Sequence, residues 1–282
     1  MGRSGGRGPM SDRDVTGLGG AHQRVPVERW RLTGGETAAE EVATEVPIAF
    51  IYNGVPFAVM LATPQDLDDF ALGFSLTEGV IGSATECQGV EVVPEARGYS
   101  VYMSIPKERS EAISTRRRSL AGRTGCGLCG TQLLEDALRP VAPVTNAARF
   151  AAGAVQAGAM ALGSVQALNA ITGAVHAAAW CDPAGAVRLV REDIGRHNAL
   201  DKLIGALLSS GTDGSTGFVI VTSRASYEMV HKCAAAGIGL IAAVSAPTSL
   251  AIDVATAANV TLIGFTRAGR HTVYANPGRV SA

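Results

Sequence analysis

From residue 174 to residue 274 the chain alternates short apolar runs with segments of helical length, and this alternation restricts the fold more than any other feature. Strands are expected at 174–181 and 186–190, on either side of the turn Asp182-Pro183-Ala184-Gly185. They are followed by a helix at 198–208, a strand at 218–222, a helix at 227–236, a strand at 240–244, a helix at 249–258, and strands at 261–265 and 271–274. Strands separated by single helices form a mixed sheet with parallel members, covered by helices on its faces.

The first half reads differently. Residues 48–52 and 55–61 are strand-like and enclose Asn53-Gly54, a pair suited to a tight hairpin turn. Thr63-Pro64 opens a helix that carries Asp66, Asp68 and Asp69 in its early turns, where the helix dipole favours acids, and runs to about Glu78. Strands at 90–93 and 99–105 complete a smaller α+β unit. Residues 1–25 are rich in Gly, Arg and Ser without periodicity and read as a disordered tail, with order beginning near Arg31. The expected division is therefore a tail at 1–25, an N-terminal α+β domain at 26–145 and an α/β domain at 146–282.

Residues 150–181 contain no Asp, Glu, Lys or Arg. The run is mostly Ala and Gly and includes Gln156, Gln166 and Asn169, so it reads as a buried helix over about 147–170 and a strand, not a membrane span. Lys plus Arg is 24 against 25 for Asp plus Glu, which gives no global pull toward nucleic acid or a membrane surface. An anionic ligand would need a local basic cluster.

The five cysteines, Cys87, Cys126, Cys129, Cys181 and Cys233, make a poor disulfide framework. With no apolar leader core at the start of the sequence, this points to the reducing cytoplasm. Cys87, Cys181 and Cys233 read as small buried residues. Cys126 and Cys129 form a CxxC framed by Gly125, Gly127 and Gly130, with Arg116, Arg117, Arg118 and Arg123 upstream. Glycines permit close approach of another molecule, and positive charge favours the reactive thiolate. Four readings stay open for this pair on the residues alone: a reactive thiol loop, half of a zinc site, a thioredoxin-type redox motif, which Gly125 before it and Gly127 inside it weaken, or a structural pair. No second CxxC or paired His at finger spacing accompanies it, and no bound metal is expected.

Arg191-Glu192-Asp193-Ile194-Gly195-Arg196-His197-Asn198 is the densest polar run and joins a strand to a helix, a position where α/β sheets carry ligands. His197 there would donate to an anion or move a proton; alternatively Glu192 and Asp193 cap the helix and His197 is solvated. Thr222-Ser223-Arg224-Ala225-Ser226 and Ser245-Ala246-Pro247-Thr248-Ser249 occupy equivalent junctions. Ser223, Arg224, Ser245 and Thr248 with nearby amides read as a phosphate cradle or as ordinary N-caps. Phe265, Thr266, Arg267, Ala268, Gly269 and Arg270 join the last two strands, and the two arginines suit a pyrophosphate or a plain polar turn.

Taken together, the cysteine loop, the run Arg191–Lys202, Thr222-Ser223-Arg224 and Ser245–Ala251 resemble the formate dehydrogenase accessory sulfurtransferase family, FdhD. Thr172-Gly173 with His176 and Ala71-Leu72-Gly73-Phe74 also fit, so the resemblance spans about residues 31–275. It implies a cytidine-deaminase-like α/β scaffold, although His176-Ala177-Ala178 lacks the deaminase glutamate and Gly125 stands where its proline would be. It also implies that sulfur passes as a persulfide from a cysteine desulfurase to the molybdenum bis(molybdopterin guanine dinucleotide) cofactor of formate dehydrogenase. Cys126 would carry the persulfide and Cys129 would assist. The segment Phe265 to Arg270 would contact the guanine nucleotide moiety of the cofactor. A homodimer is compatible with this reading; nucleic acid and membrane partners are not expected. The alternative is a cofactor-binding chaperone of the dehydrogenase whose cysteines are incidental.

Overall fold

The computed structural model describes residues 20–120, 141–267 and 269–282, with side chains throughout except at 114–120. The first described strand starts earlier than the order expected from about Arg31. Strand β1 (His22–Arg31) pairs antiparallel with β2 (Gly34–Ala43) in a two-stranded ribbon, so residues 22–25 belong to a strand and not to a tail. The ribbon is charged and largely exposed, so it lacks the apolar alternation that marks a strand in sequence. Cross-strand ion pairs support the backbone ladder: Arg29 Nη2 to Glu40 Oε1 at 2.8 Å and Arg31 Nη2 to Glu36 Oε1 at 3.2 Å.

The N-terminal α+β unit follows. Its sheet is ordered β4 (Val55–Ala62), β3 (Val46–Tyr52), β6 (Gly98–Ser104), β5 (Gly89–Glu95). Asn53 and Gly54 take φ of 48° and 80°, the left-handed geometry that the β3–β4 turn requires. Ile48, Phe50 and Tyr52 alternate inward along β3 and are fully buried. They meet helix α1 (Leu67–Thr77), where Phe50 stacks on Phe74 at 4.5 Å and meets Phe70 edge-on at 5.0 Å. Helix α2 (Lys107–Leu120) contains Arg116, Arg117 and Arg118, which precede the cysteines in sequence. A highly charged helix gives little amphipathic signal.

The larger unit contains β7 (Phe150–Ala151), α3 (Ala152–Leu162), α4 (Ala167–Thr172), β8 (His176–Cys181), β9 (Val187–Asp193) and α5 (Arg196–Ser209). It continues with β10 (Phe218–Val221), α6 (Tyr227–Ala235), β11 (Leu240–Ala243), α7 (Ser249–Ala257), β12 (Thr261–Arg267), β13 (Arg270–Ala275) and β14 (Val280–Ser281). Its sheet runs β13-β12-β11-β10-β8-β9, with β10, β11 and β12 mutually parallel and the outer pairs antiparallel. Val219 and Val221 join a core with α5, α6 and α7 on one face, whereas Phe218 and Ile220 join a second core with α3 on the other. The period-two alternation thus builds two apolar layers from one strand. The expected mixed sheet with flanking helices and a smaller N-terminal α+β unit is the observed architecture.

Two expected boundaries shift. The alanine-rich segment is not one helix over 147–170 but two, because α3 ends before Gly163 and α4 starts afresh under a cap. That cap is the carboxylate of Glu192, which accepts from Leu168 N at 2.8 Å and Asn169 N at 2.9 Å. Val144, allotted by sequence to the N-terminal domain, is buried in the core of the larger unit, and its amide donates to Ala258 O at 2.9 Å. No helix among the described residues is long and apolar enough to cross a membrane.

The two units meet where α1 crosses α5. Arg191 reaches Asp69 of α1 at 2.7 Å. Lys202 of α5 donates to Thr63 O at 2.9 Å and pairs with Asp193 at 2.7 Å. Asp201 accepts from Thr77 Oγ1 at 2.7 Å and from Lys232 of α6 at 2.8 Å. All of Asp193, Asp201, Lys202 and Lys232 are buried. Burial alone would depress the Lys232 ammonium, but Asp201 and Glu78 outweigh it and hold its pKa above the usual lysine value.

Candidate functional site

The strand directions decide where chemistry can gather. Since β10, β11 and β12 run parallel and β8 runs against β10, the ends of the first three and the start of β8 lie along one edge of the sheet. Open α/β sheets place their ligand crevice at this edge.

Three loops of the sequence reading are stitched together here. Ala225 N donates to Ala246 O at 3.3 Å and Thr248 N to Ala225 O at 3.1 Å, which joins the β10–α6 loop to the β11–α7 loop. Phe265 N donates to Ser245 O at 3.1 Å and adds the end of β12. Phe265 itself is 40 % exposed and has φ of 50°, which is unusual for a bulky residue. It lies at an irregularity in the β12–β13 ladder, and Arg267 and Arg270 close the ladder opposite each other, both exposed. Gly269, with φ of 78°, makes the turn, and Ala268 lies outside the described residues. Thr266 is buried, and no described residue partners its Oγ1.

The hydroxyls divide between roles. Thr248 Oγ1 accepts from Ala251 N at 3.3 Å, an ordinary N-cap. Ser223 is buried, with its Oγ donating to Arg224 O at 2.9 Å, and Arg224 is exposed. Ser226 occupies the N-cap of α6 without capping it; its Oγ lies 3.4 Å from His197 Nε2.

The polar run of residues 191–198 is mostly structural. Glu192 caps α4, and Asp193 accepts from Thr63 N at 2.9 Å, Gly195 N at 2.8 Å and Asn198 Nδ2 at 2.9 Å. Asn198 also donates to Leu61 O at 2.8 Å, so the motif bolts the two units together. Arg196 and His197, both half-buried, follow in the first turn of α5 at the same edge. His197 Nε2 lies 2.8 Å from Glu228 Oε2, and this hydrogen bond holds the Glu228 carboxyl below its usual range. His176 stands at the start of β8; burial, then the charges of Arg196 and His197, hold its imidazole below the ordinary histidine value. Glu228 was not singled out in sequence, since an acid in the first turn of a helix carries no signal beyond the dipole.

Cys126 and Cys129 lie outside the described residues. Cys181 and Cys233 are buried as expected, and burial pushes the Cys181 thiol up to about 12 and Cys233 higher still, so neither is a ready thiolate. Cys87, expected to be buried, is only half-buried. No group of three or more metal-ligating side chains occurs among the described residues.

Residues 43–281 match the model of the FdhD/NarQ family. The chain belongs to that family. A relative from Cupriavidus necator, named sulfur carrier protein FdhD, is 55% identical over 259 residues, covering 92% of this chain and 90% of its own length. The Bordetella petrii protein of the same name is 52% identical over 252 residues, covering 89% and 91%. In structure, the chain is similar to a formate dehydrogenase accessory protein from Desulfotalea psychrophila, with a TM-score of 0.75 and 24% identity over 93% of this chain and all of the other. That likeness establishes a shared fold. Family membership covers both units, including the buried motif of residues 191–202 that joins them.

Proposed function

We propose that this FdhD/NarQ protein is a cytoplasmic sulfurtransferase that carries sulfur on Cys126 to the molybdenum bis(molybdopterin guanine dinucleotide) cofactor of formate dehydrogenase. Relatives at 52–55% identity bear the name sulfur carrier. The observation that carries the acceptor side is the sheet edge, where the loops of Ser223–Arg224, Ser245–Thr248 and Phe265–Arg270 are hydrogen-bonded into one rim with exposed Arg224, Arg267 and Arg270. Such a rim suits a diphosphate-bearing nucleotide.

The chemistry assigned to the thiols balances. The Cys126 thiolate attacks the outer sulfur of a cysteine desulfurase persulfide, the donor S–S bond breaks, and the donor leaves as a thiolate. Cys129 then attacks Cys126, forming a disulfide and expelling hydrosulfide to the acceptor. Arg267 and Arg270 would grip the diphosphate of the cofactor, and His197, Ser223, Arg224, Ser245 and Thr248 would line its approach. The cofactor is the substrate here, and no metal bound directly by the protein is invoked.

The test is incubation with a cysteine desulfurase and cysteine, followed by peptide mass measurement. Added sulfur on the Cys126 peptide, absent in Cys126→Ala, is the expected result. A Cys126→Ala protein that still activates formate dehydrogenase in cells lacking their own copy would leave the cofactor-chaperone reading instead.

A further inference from the structure

The β1–β2 ribbon stands on a small root and carries an apolar tip. At the root, Ala21 and Ala43 pack with Leu168, Val175 and Ile194. At the far end Trp30 is 73% exposed and Leu32 is fully exposed. Trp30 faces Gly35 across the ladder, and a Cβ at Gly35 would stand 3.0 Å from the indole. The ring is therefore held against the glycine backbone while most of it meets water. An isolated hairpin is marginal in water, and a held aromatic anchor is what protein interfaces concentrate at their centres. A second apolar surface lies open on the N-terminal sheet. Ile48, Phe50 and Tyr52 point inward along β3, so Pro47, Ala49 and Ile51 point outward. The register sets Leu61 opposite Pro47, Val59 opposite Ala49 and Tyr102 opposite Ile51 on that outer face. Val59 is 66% exposed, and Leu61 and Tyr102 are exposed too. Strand β4 is the edge of this sheet and carries no charged residue, although exposed edges are commonly guarded by charge.

We propose that these two surfaces meet between two copies of this chain. The Trp30–Leu32 tip of one copy lies on the Val59, Leu61 and Tyr102 face of the other, and the contact is repeated across a two-fold axis. Within one chain neither surface covers the other, since both are exposed. Every copy carries one of each, so a reciprocal exchange closes on itself and leaves neither open. Ten residues per strand give the ribbon a length of about 33 Å, enough to reach across to a neighbour.

Charge fits the same pairing. Arg31 is the only charged residue between positions 30 and 35. It reaches Glu36 at 3.2 Å and its side chain stays largely exposed. On the receiving face Glu91 stands opposite Tyr102, with Glu95 four residues along the same side of β5, and both are exposed. An arginine beside the apolar tip thus meets acids beside the apolar face, which fixes orientation more than it adds affinity. The uncharged β4 opposes no charge of the incoming tip. With a net charge of -1 per chain, two copies repel each other little.

The experiment uses the full chain. Its two tryptophans are Trp30 and Trp180, and Trp180 is buried with its Nε1 donating to Gly214 O at 3.1 Å. A concentration-dependent change in emission therefore reports Trp30. The emission should move to shorter wavelength as the protein is concentrated, in step with a rise from one chain to two in sedimentation analysis. Trp30→Ser and Val59→Lys should each weaken dimerisation at least about tenfold. Both positions are exposed, so circular dichroism melts should stay near wild type, and Leu61→Lys replaces Val59→Lys if that variant is unfolded. An equimolar mixture of Trp30→Ser with Val59→Lys should regain part of the association, because the intact tip of one variant meets the intact face of the other. Contact of tip with tip would give no such gain. A wild type that stays a single chain at its highest soluble concentration would overturn the proposal. So would a dimer that neither substitution weakens, or one with no gain on mixing. A Trp30 shift that appears only on adding formate dehydrogenase would assign the tip to that partner and equally overturn it. The readout involves neither the thiols nor the cofactor, so it stands or falls apart from the proposed function.

Discussion

Gly73 and Gly205 lie back to back where α1 crosses α5, each against the other helix's main chain. A Cβ on Gly73 would sit 1.8 Å from the Asp201 carbonyl oxygen, and one on Gly205 would sit 1.8 Å from that of Asp69. Neither neighbour is a side chain that can swing away. Gly73→Ala or Gly205→Ala should therefore push the two units apart and cost roughly 1–3 kcal/mol of stability, at the scale of overpacking a dense interior. Urea unfolding read by tryptophan fluorescence and circular dichroism checks this; a variant as stable as wild type would refute backbone contact at the crossing.

Asp201 and Lys232 carry the same junction electrostatically. Their atoms approach to 2.8 Å, both are buried, and Thr77 bonds to each. Asp201→Ala takes from the Lys232 ammonium its closest carboxylate, leaving Thr77 Oγ1 at 3.0 Å, Glu78 at 3.7 Å and the weaker pull of Glu228. Removing one partner of a buried pair costs about 3–5 kcal/mol. Denaturant titration of Asp201→Ala should show a loss of that size, and the double variant Asp201→Leu/Lys232→Met should recover much of it.

Much of the larger unit was legible because its strands alternate over two apolar cores, as Val219, Val221 and Phe218, Ile220 do. The β1–β2 ribbon was not, since its pairing is held by the backbone ladder and ion pairs such as Arg29 with Glu40, not by a buried stripe. The break between α3 and α4 was hidden because Glu192, its cap, lies more than twenty residues away in sequence. At the candidate site, the loops at β-strand ends announced themselves by Ser, Thr, Arg and Pro. The division of labour within residues 191–198 did not, because only the fold shows that Asp193 faces Thr63 and Lys202 while Glu192 caps α4 and His197 meets Glu228.

Glu228 gives a pH signature. The His197 hydrogen bond holds its folded pKa below the ordinary value of 4.5. A depressed carboxylate contributes stability that is present above its unfolded pKa and is lost as pH falls through the folded one. Glu228→Gln should thus be less stable than wild type near neutrality, and the gap should close in the acid range below 4.5. Because the group is partly exposed, the gap should be under about 1 kcal/mol. Melting temperatures of both proteins across that range test it; a gap that widens on acidification would contradict the assigned bond.

The rim of the sheet makes the last prediction. Arg267 and Arg270 face each other across the closing pair of the β12–β13 hairpin, exposed and next to the strained Phe265. Two forked cations on one turn can bind the two phosphates of a guanine nucleotide bidentately, whereas a lone arginine loses most of the geometry. Under the proposed function, Arg267→Ala and Arg270→Ala should each lower GDP affinity by roughly 1.5–3 kcal/mol, the value of a charge-assisted bond. Both side chains project from a surface turn, so melting temperatures should stay near wild type, which separates lost binding from lost folding. Calorimetric titration with GDP, and with guanosine as the phosphate-free control, measures the effect. The loss should appear for GDP and be absent for guanosine; unchanged GDP affinity in both variants would remove the turn from the cofactor site.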